Sequence, residues 1–82
     1  MYLEIVTPEK KAFEGDVEAV QVPALEGSFE VLNSHAAIVS ALGKGNVRIK
    51  TKEGYRSYTI DEGLIEVLNN KVVVLAESIT EA

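Results

Sequence analysis

Apolar and polar residues alternate with a period of two along most of this chain, in short runs separated by turn residues. Over residues 2–7, Leu3 and Ile5 share one face, and Pro8 ends the run. Residues 12–15 make a short extended piece before a turn. Over residues 17–22, Val20 and Val22 share a face with Glu18, and Pro23 is expected to stop the strand. Residues 28–32 alternate around Phe29 and Val31. After the polar loop Asn33-Ser34-His35, residues 36–42 form an apolar run containing Ile38, Val39 and Leu42. So short a run has no distinguishing period, and it fits either a strand or one helical turn.

The second half of the chain alternates more cleanly. Residues 46–51 place Val47 and Ile49 inward and Arg48 and Lys50 outward. Lys52-Glu53-Gly54 is a hairpin turn leading to a return strand over residues 55–60. Asp61-Glu62-Gly63 turns again, and residues 64–68 pair across Asn69-Asn70 with residues 71–76. Asn-Asn suits a tight type I′ turn, because Asn tolerates positive φ better than most residues. The pattern predicts eight or nine strands with no long helical period, which is an all-β antiparallel sandwich or barrel. Residues 1–77 read as one domain and residues 78–82 as a polar tail.

Composition narrows what such a domain does. The chain has 82 residues, 46% of them hydrophobic, and 13 Asp and Glu against 8 Lys and Arg. It is globular in composition, and a core this small must be continuous to hold it. A net charge of −5 gives no basic face for phosphate, so nucleic-acid binding is not expected. With no cysteine there is no disulfide, thiol catalysis or Cys-ligated metal. No apolar run reaches the roughly 18 residues of a membrane span. Nor does the start of the chain have the basic and apolar segments of a secretory signal.

No residue group forms a catalytic constellation. His35 is the only histidine, so one chain has no two-His metal site. Asp61 and Glu62 are adjacent, and adjacent strand residues point to opposite faces; a charged turn explains them better than a cation site. The serines lack a G-x-S-x-G context, and Gly43-Lys44-Gly45 is too short for a phosphate loop. The residues thus describe a small acidic β domain without cofactor or small-molecule substrate, whose partner is another protein.

The ordered set of segments resembles one family. Leu3-Glu4-Ile5-Val6-Thr7-Pro8 and Phe13-Glu14-Gly15 open the chain, followed by Val20-Gln21-Val22-Pro23, Glu26-Gly27-Ser28, Val31-Leu32 and His35-Ala36. Leu42 with Gly45-x-Val47-Arg48-Ile49, then Gly63-x-x-Glu66-Val67 and Val72-x-Val74-Leu75-Ala76-Glu77, complete it. In order and spacing these resemble the ε subunit of F-type ATP synthases. Two departures are Ala37, where the family usually has Pro, and Glu62-Gly63, where it often has Gly-Gly.

The resemblance implies a flattened β-sandwich of two sheets and ten short strands. It implies a non-catalytic rotor subunit at the foot of the central stalk, coupling proton- or sodium-driven ring rotation to ATP synthesis. The implied partners are the γ subunit and the c-ring, with membrane association only through them. The implied location is the cytoplasmic face of a bacterial inner membrane, or the organelle-encoded equivalent. Residues 26–28 (Glu26, Gly27, Ser28) and Asn33, Ser34 and His35 match family segments that face the c-ring. Thr7 and Ser40 match positions against γ, and Ile38 and Val39 are the apolar candidates for the same contact. Family members usually add two C-terminal helices that inhibit hydrolysis. The chain stops where these would begin, so little inhibition is expected of it. Two alternatives stand beside this reading: an unrelated β-sandwich that adds a peptide strand to a free edge, and a small hydrolase using His35 or Asp61-Glu62.

Overall fold

A computed structural model describes residues 1–81 and contains ten strands in that span. They are β1 (Tyr2–Val6), β2 (Lys11–Asp16), β3 (Ala19–Ala24), β4 (Gly27–Leu32) and β5 (Ile38–Leu42). The second half gives β6 (Gly45–Thr51), β7 (Gly54–Ile60), β8 (Gly63–Leu68), β9 (Lys71–Ala76) and β10 (Ile79–Glu81). The ambiguous run over residues 36–42 is a strand from Ile38 to Leu42, with residues 36 and 37 in the loop before it. The hairpin at Asn69-Asn70 has φ of 51° and 61° at the two residues, as a type I′ turn requires.

The strands form a sandwich. One layer runs β10-β7-β6-β3-β4 and the other β5-β8-β9-β1-β2. Strand pairing joins them at one corner, where β3 leaves β6 and meets β5 through the pair Ala24 and Leu42. All pairs are antiparallel except β1–β9, which is parallel. The alternation carries through to burial. Leu3, Ile5, Val20, Val22, Val47, Ile49, Ile65, Val67, Val72 and Val74 all lie inside. All but Leu3 are β-branched, a shape that suits a pleated surface covered on one side.

Three expectations are corrected. Pro23 does not stop β3 but lies inside it, opposite Ser28. Its carbonyl accepts from Gly43 N at 2.8 Å, on the side away from β4. Proline has no amide hydrogen, and here the missing donor falls in the gap where β6 and β5 part company. Glu18 does not share a strand face with Val20. It precedes β3, with its amide on the Lys50 carbonyl at 2.7 Å, and Val17 beside it is buried instead. The polar tail is also revised. Residues 79–81 pair with β7, Ile79 packs against the core, and Arg56 grips Glu81 at 2.7 Å. Residue 82 of that tail lies outside the described residues.

Arg56 is on the core side of β7, at the open mouth between the layers. Its guanidinium carbon lies 5.3 Å from the Phe13 ring centroid of β2 and 5.6 Å from that of Tyr58. The pair with Glu81 is half exposed, so it contributes at most about 1 kcal/mol. Its main effect is to aim a flat cation at two rings. On the outside of β1 and β2 is a polar ladder. Tyr2 donates to Glu14, and Lys11 Nζ reaches Glu4 and Glu14, each at 3.2 Å. The bonded Glu14 carboxylate raises the Tyr2 phenol from the usual 10.0 to about 12.

Three outcomes are expected from this architecture. Val22→Asp should unfold the domain in a circular dichroism melt, since an unpaired buried charge costs several of the about 5–15 kcal/mol available. Gly63→Ala should cost about 1–3 kcal/mol in urea denaturation. A Cβ there would lie 2.0 Å from the Leu75 carbonyl oxygen, forcing β8 and β9 apart. Because Tyr2 ionises higher in the fold than free, its contact adds stability below pH 10.0 and loses it as pH rises towards about 12. An absorbance titration of Tyr2→Phe should lack the transition near 12 that the parent has.

Candidate functional site

The strand directions sort every turn to one of two ends. Met1, residues 17–18, residues 33–37 and the hairpins at 52–53 and 69–70 lie at one end, here the Met1 end. Residues 7–10, 25–26, 43–44, 61–62 and 77–78 lie at the other, the Leu25 end. The two loops expected to face a ring therefore separate. Glu26, Gly27 and Ser28 are at the Leu25 end, and Asn33, Ser34 and His35 at the Met1 end, with β4 between them. Six extended residues span about 20 Å.

The loop at the Met1 end is occupied with the fold itself. Asn33 Oδ1 accepts from the Met1 amine at 3.0 Å and from Asn70 Nδ2 at 3.4 Å. Ser34 has φ of 63°, and its amide donates to Asn70 Oδ1 at 2.9 Å. That bond helps hold a conformation non-glycine residues rarely adopt. His35 Nδ1 lies 2.7 Å from the Ala36 carbonyl, which only accepts, so this nitrogen carries the proton. The His35 ring stacks on Phe29 at 6.5 Å.

Thr7 is similarly committed. It is 8% exposed, and its Oγ1 receives the amides of Glu9 and Lys10 at 3.3 and 3.2 Å, capping the β1–β2 turn. On β5, Ile38 and Ser40 point towards the core side and Val39 points away, 63% exposed. Ile38 packs against the core. Neighbouring residues of one strand cannot share a face, so of the two apolar candidates only Val39 is free. Asp61 accepts from Ser78 Oγ at 2.7 Å, in a turn. Among the described residues no cluster of three or more His, Asp or Glu is arranged to hold a metal.

The surface feature that single-residue reasoning missed is a row. Ala41, Leu64, Leu75 and Val6 are in register across β5, β8, β9 and β1, on the outside of their layer. Val39 and Val73 flank the row, with Glu66 between them. Leu75 is 46% exposed, and Leu25, 70% exposed, rims an open groove of about 840 Å³ where the row reaches the Leu25 end. Beyond Val6 the same face turns charged, with Lys11, Glu4 and Glu14. The outside of the other layer is different in kind. Gln21, Asn46, Arg48, Lys50, Ser57 and Thr59 cover it, and Arg48 lies 4.0 Å from the Tyr55 ring centroid. The sequence paired residues 64–68 with 71–76, but only the register and strand order set Leu64 beside Leu75 on the outer face.

Residues 1–82 match the family described as ATP synthase, Delta/Epsilon chain, beta-sandwich domain. The ATP synthase epsilon chain of Salinibacter ruber is 36% identical to this chain, over 98% of this chain and 60% of its own length. That of Chlorobium limicola is 38% identical, over 95% and 90%. The chain thus spans about three fifths of the first relative and most of the second. A chain in the structure of the Euglena gracilis mitochondrial ATP synthase (OSCP, F1 and c-ring) has the same fold. Its TM-score is 0.90 at 21% identity, covering 96% of this chain and 51% of the other. The sandwich, the order of its segments and the agreement over the whole sequence give one answer: this chain belongs to the ATP synthase delta/epsilon family and has the fold of its β-sandwich domain.

Proposed function

We propose that the chain is a non-catalytic central-stalk subunit of an F-type ATP synthase, bound to γ and touching the c-ring, and that it couples ring rotation to ATP synthesis. Family membership supports the assembly, and the observation that carries the reading is the apolar row on β5, β8, β9 and β1. Exposed apolar residues are common singly, but four in register with two valines beside them form a contiguous patch, which marks a protein interface. The seat for γ is this row, with Val39, Leu64 and Leu75 as its anchors. Thr7, Ser40 and Ile38 support that surface from beneath or beside it. The polar ladder of Tyr2, Lys11 and Glu14 forms its rim.

The c-ring contact is the hairpin Glu26-Gly27-Ser28 alone. A partner's loops meeting the Leu25 end cannot also reach Asn33, Ser34 and His35 across the length of β4. Charge at that end favours register over affinity, since Glu26 is exposed and screened. The protein works at the membrane surface that carries the assembly, the cytoplasmic face in a bacterium, and is held there by partners.

The test is to add the chain to a catalytic head complex carrying γ but stripped of its own ε. One copy should bind with little slowing of ATP hydrolysis. Leu75→Glu should stay folded and bind γ at least about tenfold more weakly, since an apolar anchor of this size contributes about 1.5–3 kcal/mol. His35→Ala should stay folded and leave ring contact unchanged. Absence of binding by a folded chain at micromolar concentration would overturn the reading.

A further inference from the structure

A sheet edge is a row of unpaired amides and carbonyls, and proteins normally blunt it. Two of the edges here are blunted. The β2 edge carries Lys11, Glu14 and Asp16 and has a register shift against β1 between Ile5 and Val6. The β10 edge is three residues long and includes Glu81. On the free side of β5, Val39 alone is open before the Ala41 carbonyl is taken by the Leu25 amide at 3.3 Å. The β4 edge is different. It has six residues, one charge, no proline and no bulge, and β4 pairs with β3 only.

Pro23 reveals which of its groups are free. The Pro23 carbonyl points away from β4, to Gly43, so the pair Pro23 and Ser28 is a non-hydrogen-bonded one. In such a pair both residues turn their main-chain groups outward. By the period of two, Ser28, Glu30 and Leu32 do the same. The Leu32 carbonyl is used by the His35 amide at 3.2 Å. The amides of Ser28, Glu30 and Leu32 and the carbonyls of Ser28 and Glu30 are left without a protein partner among the described residues. Beside them Phe29 is only partly buried against the core, and Leu32 is half exposed.

We propose that the free edge of β4 is a docking edge for an extended segment of a partner protein, apolar on alternate residues and cationic opposite Glu30. The spacing of the free groups accepts only an extended backbone, because a helix satisfies its own. The inward side chains of the added strand complete the cover over Phe29. Glu30, which has no cation partner among the ion pairs of the fold, selects Lys or Arg on the outer side. A second copy of this chain is disfavoured, since pairing that uses Ser28, Glu30 and Leu32 of both copies sets Glu30 against itself. This goes beyond the central-stalk reading and uses a different surface from the apolar row.

The test uses the isotopically labelled 82-residue chain and a short synthetic peptide of alternating Val and Thr with one Lys among the threonines. At millimolar peptide, NMR hydrogen exchange should slow at the amides of Ser28, Glu30 and Leu32. A twin peptide methylated on its pairing amides should give no protection. Glu30→Pro removes one outward amide while sparing the β3 ladder, just as Pro23 does, and should weaken binding about five- to tenfold. If that variant fails to melt like the parent, Ser28→Pro takes its place, and the methylated peptide needs no variant at all. Protection by both peptides alike, shifts centred on Leu64 and Leu75, or no change at any residue would overturn the proposal.

Discussion

Pro23 has no amide hydrogen, and the two-layer arrangement turns on that missing donor. On one side β3 has a regular partner in β4. On the other it serves β6 through Ala19, Val20 and Gln21, then β5 at Ala24. A strand that changes partners leaves one main-chain position between them. An ordinary residue would bury an unmade hydrogen bond there, costing about 1–3 kcal/mol. Proline removes the donor, and Gly43 satisfies the carbonyl. The connection from β5 to β6 then passes so closely that a Cβ on Gly45 would lie 2.8 Å from the Pro23 side chain.

From that corner the rest follows by pairing. The layer containing β5 folds over the layer containing β6, and the inward valines and isoleucines of both meet in one core. The far side closes by other means. There no strand is shared, and Arg56 bridges the gap, held by Glu81 and laid near the rings of Phe13 and Tyr58. One side is joined by main-chain hydrogen bonds and the other by a side chain.

The same division sets what each surface offers. With the core filled, outward residues are free to differ between layers, and they do. One outer face is amide- and hydroxyl-rich with Arg48 and Lys50, and the other carries the apolar row ending at Leu75. Polar residues that looked available in the sequence are consumed inside the fold: Thr7 caps a turn, and Asn33 and Ser34 tie the Met1 end to Asn70. A hydroxyl or amide on a loop satisfies the nearest backbone group before it reaches a partner.

The sequence by itself determined the strands. Alternation named Leu3, Ile5, Val20, Val22, Val47 and Ile49 as inward, and Asn69-Asn70 declared its turn, because period and backbone preference are local properties. The order of segments also pointed to the family. It could not settle residues 36–42, whose run is too short to have a period, or β10, where Ile79 alone is apolar and the pairing with β7 is what makes a strand. Nor could it decide which outward residues meet. Leu64 and Leu75 are eleven positions apart in the chain and directly opposite in the sheet, while Ser28 and His35, seven apart, lie at opposite ends of the sandwich. Strand order and register carry that information, and both arise from pairings between distant segments that no local pattern encodes.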